Sequence, residues 1–164
     1  MRTAIVALLA TVLLVSGAAR AQETAQPDRS PIERVIDSFT VAALVGRSQF
    51  YALKFQHDEA IADMDAAIAL APDNPMLYAE RGQRIMLLYE WDRALADYNR
   101  ALELNPNYAD AYYYRGVLHY TVIARELAIA DFERYLALAP DGLHTEAAAQ
   151  YITDLQTQLA ALAP

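Results

Sequence analysis

A period of 34 residues constrains this chain more than any other feature. Ala60-Ile61-Ala62-Asp63-Met64 returns as Ala94-Leu95-Ala96-Asp97-Tyr98 and again as Ala128-Ile129-Ala130-Asp131-Phe132. Each copy continues to an apolar pair (Ile68 and Leu70, Leu102 and Leu104, Leu136 and Leu138) and then reaches Pro72, Pro106 or Pro140. Upstream, Tyr78-Ala79-Glu80-Arg81-Gly82 matches Tyr112-Tyr113-Tyr114-Arg115-Gly116, while the first copy keeps only Leu44, Arg47 and Ser48 there. Repetition at this spacing describes one small unit built several times. A single unit cannot bury its own apolar face, so the copies must stack. Alanine is over-used and glycine is sparse, which favours helix over strand.

These motifs resemble the tetratricopeptide repeat (TPR) family. The resemblance implies an all-α fold, an α-solenoid of antiparallel helix pairs wound into a TPR superhelix. Repeat one would be residues 41–74, repeat two 75–108 and repeat three 109–142. The family's small position is Ser48, Gly82 and Gly116, its alanine position is Ala60, Ala94 and Ala128, and its proline position is Pro72, Pro106 and Pro140. Met64, Ile85, His119 and Tyr135 depart from the family pattern without breaking it.

Packing physics accounts for these residue types independently. Two helices approach closely only where side chains are small, and the aromatic residues nearby fill the space beside the approach. The prolines stop each second helix. Asp58, Asp92 and Glu126 stand near the start of each second helix, where an acid caps the helix or meets its dipole. Arg47, Arg81 and Arg115 each precede an aspartate (Asp63, Asp97, Asp131) by 16 residues, which predicts Arg–Asp bridges between helices.

The two ends differ from the repeats. Ser30-Pro31-Ile32-Glu33 is a helix start, with a serine cap, proline at the first position and a glutamate three residues on. An N-terminal helix over 31–40, striped with Ile32, Val35, Ile36 and Phe39, either covers repeat one or runs on into it. Residues 143–164 are expected to form a C-terminal capping helix, with Ala148, Tyr151, Ile152, Leu155, Leu159 and Leu162 on one face. Tyr135 stands where this helix must pack.

Before the fold comes a leader. Arg2 precedes an apolar run from Ala4 to Val15, and Ala19-Arg20-Ala21 is a small-x-small cleavage site. Residues 1–21 are expected to be a signal peptide cut after Ala21, with 22–30 as a polar linker. A membrane anchor fits less well, because Ala4–Ala19 spans 16 residues and a bilayer needs about 20. The expectation is therefore an exported protein, periplasmic or extracellular, with no membrane insertion after cleavage.

Little chemistry is written in the rest. Cysteine is absent, so disulfides, thiolate metal sites and cysteine nucleophiles are excluded. A formal charge of −8 disfavours nucleic acid as a partner. His57, His119 and His144 are scattered and form no metal-ligand motif. Phosphate-binding loops and hydrolase motifs are missing too. We expect no catalytic residue, metal or cofactor; an enzyme accessory subunit or a hydrolase is the less favoured reading.

The resemblance implies a site of another kind, a concave groove lined by each first helix. The expected partner-binding residues are Val45 and Gln49, then Met76, Gln83 and Met86, then Asp110, Tyr113, Val117 and Tyr120. Such a groove is apolar and aromatic, suited to an extended or helical segment of a partner protein. One TPR subclass clamps a terminal carboxylate with Lys, Asn and Arg. Its positions here hold Val45, Gln49, Glu80, Asp110 and Tyr114, so that clamp is missing. The competing expectation is a groove covered by the protein itself or by a second copy in a homodimer.

Overall fold

The computed structural model describes residues 29–162, so the expected leader and almost all of the linker lie outside the described residues. The described helices are α1 (Pro31–Leu53), α2 (His57–Leu70), α3 (Pro75–Met86), α4 (Trp91–Leu104), α5 (Ala109–Thr121), α6 (Arg125–Leu138) and α7 (Thr145–Leu162), with no strand among the described residues. Residues to Ile36 and residues from Asp37 form two compact units.

In the first unit the helix start is a reciprocal capping box. The Glu33 amide donates to Ser30 Oγ at 3.2 Å and the Ser30 amide donates to Glu33 Oε2 at 2.7 Å. Those bonds favour the charged carboxylate, so the Glu33 pKa lies below its usual range. The helix begun here runs without a break to Leu53, so residues 31–40 and the first helix of repeat one are a single element.

In the second unit, α1 pairs with α2, α3 with α4 and α5 with α6, while α2 packs on α3, α4 on α5 and α7 on α6. The whole is an α-solenoid of three hairpins and a closing helix. Ala60, Ala94 and Ala128 are fully buried. Opposite them, a Cβ on Gly82 would lie 2.8 Å from the Tyr98 ring, and one on Gly116 would lie 2.9 Å from the Phe132 ring. Repeat one solves the same close approach with Ser48, whose hydroxyl donates to the Ala60 carbonyl at 2.9 Å. Small residues face aromatic ones because there is no room for both to be large.

The second helices each start one residue before the acid. Gln56, Glu90 and Ala124 hold the N-cap positions without a side-chain cap bond. Asp58, Asp92 and Glu126 lie inside the first turn, where their charge meets the helix dipole rather than capping. Asn74 does cap, accepting from the Met76 amide at 3.1 Å just ahead of Pro75.

Each hairpin turn carries a feature that residue-type patterning conceals. Phe55, Tyr89 and Ile123, again 34 apart, are left-handed, with φ of 60°, 61° and 62°. Glycine or asparagine is the relaxed choice at such a position, and a β-branched residue is the least comfortable.

Candidate functional site

The first helices α1, α3 and α5 carry the expected groove residues. Gln49 and Asp110 are exposed, Met76 is 37% exposed, and Val45, Gln83, Met86, Val117 and Tyr120 are half-buried. Tyr113 behaves differently. Its ring is 9% exposed and lies flat on His144, with centroids 4.0 Å apart and planes 6° from parallel. It also meets Tyr114, Phe132 and Tyr135. Tyr120 contacts Tyr151 of α7 at 4.8 Å between centroids. Of these expected groove residues, Tyr113 is therefore buried against the segment entering α7, and Tyr120 is half-buried against α7 itself. The reason is steric. At this register repeat two has Ala79 (buried) and repeat three has Tyr113, so the ring must be covered.

The surface between α3 and α5 holds groups that the periodic pattern does not single out. Arg84 Nη2 donates to Glu80 at 2.9 Å, and Tyr98 Oη donates to Met86 Sδ at 3.2 Å. The Tyr114 ring stacks 6.4 Å from Tyr98, and its hydroxyl lies 3.4 Å from His144 Nε2. Burial, reinforced by Asp110 and Glu80, pushes the Tyr108 phenol up to about 12. Burial likewise raises Tyr98 and Tyr114. Burial thus favours the neutral phenol at all three, with Tyr98 fully buried and Tyr108 and Tyr114 half-buried. The sequence signal for this patch is the sixth repeat position, Glu80 and Tyr114.

A second set of side chains binds the stack together. Arg47, Arg81 and Arg115 each grip Asp63, Asp97 or Asp131 through two bonds of 2.6–2.9 Å, as the spacing predicts. In repeats two and three the remaining Nη1 reaches back to the preceding hairpin, to Asp65 at 2.7 Å and Asn99 at 2.8 Å. Tyr78 lies between Arg81 and Arg100, and Tyr112 between Arg115 and Arg134. Their hydroxyls donate to the carbonyls of Pro72 and Pro106. His119 Nδ1 lies 3.0 Å from Asp131, so the third aspartate holds two partners.

Among the described residues no group of three His, Cys, Asp or Glu side chains could hold a metal ion, and no helix is long and apolar enough to cross a membrane.

Stacked hairpins with small-on-aromatic packing define a helical-repeat scaffold. Tetratricopeptide repeat models match residues 41–74 and 83–153, and the chain belongs to that family. Among solved structures, the first TPR domain of Spaghetti (RPAP3) bound to the HSP90 peptide SRMEEVD is 28% identical, with a TM-score of 0.69 over 75% of this chain and 98% of that one. The first TPR domain of human RPAP3 is also 28% identical (TM-score 0.68, 74% and 94% covered). The TPR2B domain of yeast Sti1, in a complex with an Hsp70 partner, shares the fold at 20% identity (TM-score 0.68, 73% and 98% covered). Among curated protein sequences none matches significantly.

Proposed function

We propose that this chain is an exported, non-catalytic interaction module that holds an extended or helical segment of a partner protein against α1, α3 and α5. The observation that carries the reading is the surface itself. Met76, Gln83 and Met86 of α3 and Asp110 of α5 are at least partly exposed, and Met86, Tyr108 and Tyr114 pack against one core cluster with Glu80 and Asp110 near the two tyrosines, an adaptable apolar strip with aromatic and acidic groups. The Spaghetti domain, named as bound to an HSP90 peptide, supports the mode of use. It does not carry over the ligand, because Glu80 and Asp110 would repel an acidic peptide such as SRMEEVD.

A peptide-display library selected on the purified chain tests the proposal. Enriched peptides should lose binding to a Met76→Asp, Val117→Asp variant that melts as the parent does. Failure to enrich any sequence, or equal binding to the variant, would sink it. Export is tested separately by fractionation and N-terminal sequencing. A mature chain starting at Gln22 is expected, and an intact Met1 terminus in the cytoplasm would contradict it.

A further inference from the structure

Repeats two and three show what normally covers the leading face of a first helix. Leu77 and Ala111 at that register are fully buried, and Arg84 and Leu118, each two turns on, are 9% and 2% exposed. The side chains of Arg81 and Arg115 are 23% and 22% exposed, each bonded to the preceding hairpin. In repeat one the same register holds Ala43 (exposed), Phe50 (55% exposed) and Arg47, whose side chain is 58% exposed. Phe39, one turn earlier on the same stripe of α1, is 72% exposed. Arg47 uses Nε and Nη2 on Asp63, and no described residue meets its Nη1.

We propose that this leading face of α1 is a docking surface for a helix of a partner protein, one that presents an aspartate, glutamate or asparagine to Arg47 beside an apolar row over Phe39, Ala43 and Phe50. The molecule supplies two templates for the occupant. In α2 the bonding residue is Asp65, flanked by Met64 and Ile68; in α4 it is Asn99, flanked by Tyr98 and Leu102. The chain's own N-terminal sequence does not carry that pattern. Ala4–Val15 is apolar without any acid or amide, and 22–28 has Glu23 and Asp28 but no apolar row. A second copy has one matching helix left, α6 with Glu133, and α7 already packs on it.

The test is a labelled, helix-constrained peptide of residues 57–70, titrated by fluorescence anisotropy against the purified chain. Saturable binding is expected. It should weaken about tenfold or more in a Phe39→Ser, Phe50→Ser variant and for a peptide carrying Asp65→Lys. Ala43→Arg, which adds bulk on the same exposed stripe, should block it even if the double variant folds poorly. The groove change Met76→Asp should leave it untouched, so this proposal and the groove reading fail separately. Absence of binding, or binding indifferent to these substitutions, would overturn the proposal. So would light scattering that shows a dimer dissociated by the double variant, because the occupant would then be a second copy.

Discussion

Repeats one and three carry the same hairpin and finish it in opposite ways. Repeat three is sealed. Tyr135 is 1% exposed, accepts from the His144 amide at 2.9 Å, and sits with Tyr113, Phe132 and His144 in one aromatic cluster under α7. Repeat one has Ala67 at the Tyr135 register and leaves Phe50, Leu53 and Phe55 exposed. A linear stack gains stability from neighbours, so one repeat frame yields a firm end and an open one.

The largest expected effect tests the sealed end. Tyr135→Ala should cost about 3–5 kcal/mol, as loss of a buried aromatic does, whereas Phe50→Ala should change the denaturation midpoint little. Gly82→Leu comes next. Its side chain would enter the space held by the Tyr98 ring, for about 1–3 kcal/mol of overpacking; full tolerance in urea denaturation would contradict the packing. Arg81→Met should lower the melting temperature more than Arg47→Met, because Arg81 joins two hairpins and Arg47 one.

Alkali gives a milder contrast centred on repeats two and three. Tyr108 has its folded pKa raised to about 12 by burial, and Tyr98 is raised by the same cause. The folded state therefore holds protons that the unfolded chain releases from about pH 10. Stability is intact below that pH and falls as pH rises toward 12, and Tyr108→Phe should flatten the fall. The smallest effect has the opposite sign. Ile123→Asn should stabilise by about 0.5–1 kcal/mol by relaxing a left-handed β-branched residue. A loss of stability there would mean that the Ile123 side chain contributes packing that its exposure conceals.

The repeat frame was legible because sterics fix it: wherever Gly82 or Gly116 meets a ring, no other residue type fits, and spacing alone exposes that rule. The arginine–aspartate bridges were legible for the same reason. The groove was less so. Periodicity places Tyr113 on the first helix but does not say that His144, 31 residues later, lies on its face. The left-handed turns were hidden because Phe55, Tyr89 and Ile123 are residue types that give no turn signal. The extent of α1 depends on whether residues 31–40 stop or continue, and no glycine or proline between Pro31 and Val41 marks a stop.

Hydrogen exchange of the whole chain, followed by mass spectrometry, tests the central claim most directly. If identical hairpins draw their stability from their neighbours, amides of α5 and α6 should be protected longest, and those of α1 and α2 should open first. Equal protection across the three hairpins, or slowest exchange in α1, would contradict the account.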